Sequence, residues 1–355
     1  MSARTASLVA CGLLFSGCLV PVHFAVGRAA EDIQWEVERR LAPVVNAAER
    51  ISRCASIQAE NVAFREEKTL GDALGVRVAA AKGGLALRYV SAPSVDLQAP
   101  RAVTLASPDS VNDRARAVAV VGAGLTRHSG RPEIPWRFGV LASDEVNAVS
   151  APGGLVLVTR GALAAVRTED ALAGILAHEM AHVVLRHALD RYATEKRNAC
   201  YAALALTGGR PPGDLDAASL ESARRLFGDD VARELADGRE LDLDDRRNKG
   251  LLGGLTSALG ESLYTHGMDR PAEVAADALA VDLLLAAGYQ PEEFIRLVAA
   301  LPDKGAFSSH HPSAEDRVKE LTKHLGRRRG EEDPFRPSPR TAPLPLSPAL
   351  VATAN

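Results

Sequence analysis

Along this chain apolar residues recur mostly at helical spacing, with one short interval of strand-like runs. Between 110 and 126, Val111, Ala115, Val118, Val121 and Leu125 fall along one side of a helix. A longer helix is expected from Thr168 to about Leu189. Thr168 is its N-cap, Glu169 and Asp170 fill the first turn, and Leu172, Ile175, Leu176, Val183 and Leu185 carry the apolar pattern. Between these helices lie candidate strands over 136–141, 146–149 and 155–159. Pro152-Gly153-Gly154 marks a turn between the last two. A further helix spans about 271–287 and stops at Gly288; Pro291 opens the next, and Ser313, with Asp316 three residues on, opens a last one. The fold class expected is therefore mainly α with a small β-sheet.

The flanks read less regularly. Residues 31–70 carry Trp35, Val37, Leu41, Val44 and Val45 at loosely helical spacing. Over 71–108 the glycines and prolines suggest a connecting region, with a β-like run from Leu85 to Val90. Together they make a helical and connecting region over 31–105, ahead of a main domain at 108–325. Within that domain, 207–260 has the character of an insertion. It opens on the helix-breaking run Thr207-Gly208-Gly209-Arg210-Pro211-Pro212-Gly213, turns acidic over 229–245 and ends glycine-rich. It reads as a surface loop, or else a lid. From 326 the chain is basic and then proline-rich, the composition of a disordered tail over 326–355.

At the N-terminus Arg4 precedes an apolar run over 8–15 and then Ser16-Gly17-Cys18, which predicts an export signal over 1–18. Three forms stay open: a lipobox that lipidates Cys18, one ending at Cys11, or an uncleaved anchor over 8–26. Cytoplasmic residence with an apolar N-terminus is the plain alternative. Of four cysteines only Cys54 and Cys200 lie beyond the leader. An exported chain could join them as a disulfide; otherwise they are two unpaired cysteines.

Composition narrows the class. The 355 residues are 46% hydrophobic, enough for a packed core, and 4% aromatic, so Ala, Leu and Val must build it. A net charge of -3 offers no electrostatic reason to expect a nucleic-acid partner.

The chemistry centres on His178-Glu179-Met180-Ala181-His182, inside the long helix. Two histidines four apart share one helix face, so both imidazoles can reach one metal ion. Glu179 is turned about 100° away, where it can touch a water without becoming a ligand. Such a pattern arises by chance in about one chain in a hundred of this length, which favours function over two incidental histidines. Imidazole ligands with an open position suit Zn2+, and a carboxylate beside them suits hydrolysis. Leu185 and Ala188 exclude the extended motif in which a third histidine follows on the same helix. The better third ligand is Glu273, with Asp277 one turn along, so that one acid binds metal and the other orients a histidine ring. Two acids facing water at a helix start are the plain alternative.

Several segments together resemble the HtpX-type zinc metallopeptidase family, which includes CAAX prenyl endopeptidases and periplasmic BepA-like proteases. They are Asn147-Ala148-Val149-Ser150-Ala151-Pro152-Gly153-Gly154, then 156–161, and the His178 motif running to Arg186-His187. Glu273-Val274-Ala275-Ala276-Asp277 follows with Ala287-Gly288-Tyr289, and finally His311-Pro312 with Arg317. The resemblance covers about 110–325. It implies a gluzincin-type fold and one Zn2+ per chain held by His178, His182 and Glu273. It also implies catalysis through Glu179, supported by Asp277. Its closing element implies that His311 returns to the metal, as an oxyanion donor or as a ligand at rest; a surface histidine is the other reading. The expected partners are polypeptides, specifically misfolded proteins of a bacterial envelope, with the N-terminus associating with the membrane on the periplasmic side. A metal-stabilised, chaperone-like module that binds without cutting is the alternative, and the presence of Glu179 argues against it.

Overall fold

The computed structural model describes residues 48–86, 110–207, 214–239, 267–300, 313–330 and 342–351. The chain divides into two compact units, Met1–Arg53 and Cys54–Asn355. Of the first, the described residues 48–53 are helical. Everything below concerns the second.

This unit is mainly helical, with one three-stranded sheet, as the periodicity predicts. A 3-10 turn at Ala59–Asn61 leads into α1 (Phe64–Ala81), and α2 (Ser110–Thr126) follows. The strands are β1 (Arg137–Leu141), β2 (Ala148–Ala151) and β3 (Leu155–Thr159). β3 is central: it pairs parallel with β1, Arg137 opposite Leu155, and antiparallel with β2, Ala151 opposite Leu155. Gly153 (φ 73) and Gly154 (φ 89) turn β2 into β3 in conformations that a Cβ would strain. After the short α3 (Arg160–Ala165) comes α4 (Glu169–Val184), the helix of the His178 motif. The hydroxyl of Thr168 accepts from the Ala171 amide and caps it as expected.

α4 is buried over nearly its whole length because it is packed on several sides. The sheet meets it through β2, while α2, α8 (Arg270–Ala286) and α9 (Pro291–Ala300) take other faces. α10 (Ala314–Gly330) packs on α8 and α9, and its first turn is capped by Ser313, whose hydroxyl accepts from Asp316 N. Leu172, Leu176 and Met180 of α4 lie in one core with Val140, Val156, Val158, Leu284 and Phe294. Gly174 lets Phe294 approach, for an added Cβ would stand 2.4 Å from its Cβ.

Four parts of the sequence reading change. The region given as connecting from 71 instead continues α1 to Ala81, through Gly71 and Gly75, which look like breakers. In place, a Cβ on Gly71 would fall 1.7 Å from Pro152 O and one on Gly75 2.3 Å from the Leu155 side chain, so both glycines admit the β2–β3 turn to the helix. The long helix expected to reach Leu189 instead breaks after Val184. Arg186 takes φ 60 and α5 (His187–Thr207) leaves in a new direction. Part of the expected surface insertion is two helices, α6 (Ala217–Phe227) and α7 (Asp229–Ala236). Their Phe227, Val231 and Leu235 form a second core with Leu70, Leu74, Leu189 and Tyr192. Finally, the tail expected to be disordered from 326 is helical to Gly330. Its residues 342–351 pack back on the domain through Leu344 and through Leu350 of the short helix α11 (Pro348–Val351).

Cys54 and Cys200 form a disulfide, with Cα atoms 5.5 Å apart across a separation of 146 residues. Of the two readings open from sequence, the structure has the pair joined. No helix among the described residues is long and apolar enough to cross a membrane.

Candidate active site

The site lies where α4 and α8 cross. Asp269 caps α8 by accepting from Ala272 N, and Pro271 sits in its first turn, which sets the register of the acids that follow. Glu273, Ala276, Asp277 and Ala280 share one face of α8 and are all buried. The two alanines leave α8 room to lie close to α4, so Glu273 and Asp277 reach the histidines.

His178, His182 and Glu273 come together, each burying a ligand atom within 4.8 Å of the others. The two Nε2 atoms are 3.1 Å apart; Glu273 Oε2 is 3.4 Å from that of His178 and Oε1 is 3.6 Å from that of His182. A tetrahedral zinc with bonds near 2.1 Å would set its ligands about 3.4 Å apart, so the spacing fits. Charge argues the same way. Each Nδ1 is engaged elsewhere, at 2.9 Å from Asp277 Oδ1 for His178 and 2.9 Å from His187 Nδ1 for His182. With the ring protons there, the two Nε2 atoms face each other beside a carboxylate, a place for a positive charge that a metal ion fills in exchange for a proton on His178 Nε2.

Asp277 stands behind His178 as the second acid of the pair. It also takes both arms of Arg317, from Nε at 2.9 Å and Nη2 at 2.6 Å. Arg317 Nη2 and His178 Nδ1, 3.4 Å apart, are thus two donors sharing one carboxylate. Burial works against both charges, but Arg317 and His178 together hold the Asp277 carboxyl down to about 2. Burial and Arg317 oppose the charged form of His178, yet hydrogen bonding and attraction from Asp277, with help from Glu273, hold it up to about 9. Burial pushes His187 down. Glu179 is buried one residue on from His178, not a member of the ligand group. His311 lies outside the described residues, and its role stays as the sequence leaves it.

β2 borders the site. Thr159 N donates to Asn147 O, so alternation along the antiparallel ladder turns the backbone of Val149 towards β3 and that of Ala148 and Ser150 outwards. A cleft at this end of the strand is lined by Ser150, Pro152, His182, Arg186 and Met268.

Several contributors have no local signal in the sequence. Glu67 of α1 looks like any charged residue of an amphipathic helix, and Arg131 like a loop arginine; they pair across 64 residues. His187 stands inside the segment that carries the family resemblance, but its approach to His182 depends on the corner at Arg186. Arg317 is marked only by that resemblance.

A small sheet beside a buried His-Glu-His helix with a carboxylate from a second helix defines a metallopeptidase-type domain. Residues 112–325 match Peptidase family M48, and the chain belongs to that family. It is similar to the mitochondrial metalloendopeptidase OMA1 of Schizosaccharomyces pombe, at 27% identity over 56% of this chain and 49% of that protein. It is also similar to the beta-barrel assembly-enhancing protease of Escherichia coli O157:H7, at 32% identity over 22% of this chain and 16% of that protein. The chain thus spans about half the length, or less, of these relatives.

Proposed function

We propose that this chain is a zinc-dependent endopeptidase acting on polypeptides of the cell envelope. The observation that carries the reading is the convergence of His178 Nε2, His182 Nε2 and a Glu273 oxygen at tetrahedral spacing, with Glu179 on the same helix. A Zn2+ ion held by these three residues would polarise the attacking water and the scissile carbonyl. Glu179 would take a proton from that water and pass it to the leaving amide nitrogen, so that one peptide bond breaks and two termini form. Asp277, fixed by Arg317, would keep His178 oriented with its proton on Nδ1. The outward backbone of Ala148 and Ser150 would pair with an extended substrate, which binds peptides with little side-chain selectivity.

Export and periplasmic residence are part of this reading, with Cys18 lipidated and the membrane reached through the N-terminus. They rest on the leader-like run over 8–18 and on the Cys54–Cys200 disulfide, a bond that persists in oxidising compartments. Misfolded envelope proteins as substrates rest on the same compartment and on the name of the assembly-enhancing relative.

The test is Glu179→Gln. The variant is expected to keep one Zn2+ per chain and to lose casein hydrolysis, since Glu179 serves the water and not the metal. Loss of zinc, or near-normal cleavage, would remove Glu179 from the role. A wild-type protein that binds zinc but does not cleave would favour the chaperone-like alternative.

A further inference from the structure

His182 is oriented differently from His178. The Nδ1 of His178 meets a carboxylate, whereas the Nδ1 of His182 meets another imidazole, Nδ1 of His187, at 2.9 Å. The two rings meet edge to face, their centroids 5.0 Å apart. Two nitrogens at that distance require one donor and one acceptor. In the zinc reading the Nε2 of His182 faces Glu273 and His178, so the ring's one proton belongs on Nδ1. His187 must then present an unprotonated Nδ1 as the acceptor, with its own proton on Nε2.

The backbone is shaped to deliver that atom. On an uninterrupted helix, residue 187 would stand about 140° around the axis from residue 182 and could not face its ring. The corner at Arg186 removes the obstacle: its φ of 60 is a conformation disfavoured for a residue with a Cβ. It is held from both sides. Arg186 N donates to Val183 O at 3.2 Å, Asp190 N donates to Arg186 O at 2.9 Å, and Arg186 Nη1 donates to Ala59 O at 2.9 Å. His187 is therefore the first residue of α5, half-buried and turned back over the end of α4.

We propose that His187 is a positioning residue for the metal centre, a neutral hydrogen-bond acceptor that fixes the tautomer and ring plane of His182. This inference rests on the zinc reading of the site. An imidazole in this place does the orienting that a carboxylate does for His178, without adding a second negative charge beside Glu273. The corner at Arg186 exists to hold it there.

The test is Zn2+ affinity, measured by chelator competition on the full chain for His187→Ala, His187→Asn and His187→Gln. Far-UV circular dichroism of the metal-free variants checks their folding. An Asn amide oxygen can occupy the position of imidazole Nδ1, whereas Gln carries its oxygen out to the position of Nε2. Loss of an outer partner to a ligating histidine costs about 10- to 100-fold in metal affinity. That loss is expected for His187→Ala and His187→Gln, with His187→Asn restoring most of the affinity. Wild-type affinity in His187→Ala would overturn the proposal. So would a His187→Asn protein that binds as weakly as His187→Gln, because the acceptor would then not be what matters. If His187→Ala fails to fold, the Asn and Gln pair decides alone. A wild-type protein that binds no Zn2+ would instead refute the reading of the whole site.

Discussion

Glu67, buried, and Arg131, largely so, form an ion pair that ties α1 to both sides of the active-site cleft. The carboxylate takes Arg131 Nη2 at 2.9 Å and Nη1 at 3.1 Å, and its Oε1 also takes the Gly153 amide at 3.1 Å. Arg131 Nη1 reaches on to Val183 O, in the last turn of α4, at 3.3 Å. One carboxylate thus fastens the turn that ends β2 to the helix that carries the metal histidines. Glu67 lies outside the 112–325 family match, so a helix that precedes the matched region joins its hydrogen-bond network.

Removing Glu67 should be costly, because largely buried Arg131 would keep only exposed Glu133, 3.6 Å from its Nε, against its charge, and the Gly153 amide would lose its acceptor. Breaking such a pair costs about 3 kcal/mol or more. Glu67→Ala is expected to lower the unfolding free energy by that amount, read as a lower urea midpoint at an unchanged m-value. A loss below about 0.5 kcal/mol, the range of ordinary surface substitutions, would mean that the pair holds nothing together.

The register of β2 separates two kinds of strand mutation. Ser150→Pro removes an amide that faces away from β3, and edge strands accept proline at such positions. The protein should fold and bind zinc, while KM for a peptide rises because one backbone hydrogen bond to an extended substrate is lost. Val149→Pro removes a ladder bond to β3, leaves its acceptor unsatisfied and should destabilise the domain by about 1–3 kcal/mol. Steady-state kinetics and thermal melts check the pair. Unchanged kinetics in a folded Ser150→Pro protein would move substrate off this edge.

What could be read from sequence is what local spacing carries. The His178 motif, the Thr168 cap, the Pro152-Gly153-Gly154 turn and the one-turn offset of Glu273 from Asp277 all lie within a few residues of their own cause. The structure brings those acids to the histidines, an arrangement that the spacing alone could not distinguish from two acids at a wet helix start. What was misread depends on neighbours distant in sequence. Gly71 resembles a helix breaker until Pro152 is placed against it. A corner at Arg186 has no local signature, since the residue favours a helix and takes φ 60 only because Val183 and Ala59 hold it. The acidic run at 229–245 looks solvated, yet Val231 and Leu235 alternate with those acids and enter the second core.

The disulfide closes a long loop, joining the start of the second unit to α5, and such bonds typically contribute 2–4 kcal/mol by restricting the unfolded chain. Cys54→Ser with Cys200→Ser should melt at a temperature lowered accordingly, as should the wild-type protein under strong reductant. A reductant-insensitive melting point, with thiol titration showing both cysteines free, would remove the bond and weaken the case for an oxidising compartment.

The returning tail supplies the last expectation. Asp170, in the first turn of α4, is fully buried and takes two backbone amides, Gln290 N at 2.8 Å on Oδ1 and Leu344 N at 2.5 Å on Oδ2. Glu169 N donates in turn to Leu344 O at 2.9 Å, and Leu350 enters the main core beside α2. The tail therefore closes the N-terminal end of the metal helix. A chain ending at residue 341 should lose the burial of Leu350, worth about 1.5–3 kcal/mol, and one amide partner of a buried carboxylate, worth about 1–3 kcal/mol. Part of the second loss is recovered as water reaches Asp170, so a net cost of about 3 kcal/mol is expected. For a domain of this size that lowers the melting temperature by roughly 5–10 °C. Leu350→Ala should account for much of the effect by itself, at about 2 kcal/mol or more. Zinc content should not change in either protein, because His178 lies about 12 Å further along α4 than Asp170. Unaltered melting in both variants would show that the tail adds no stability. Loss of zinc from the truncated chain would show that the helix start and the metal site are coupled more tightly than this packing implies.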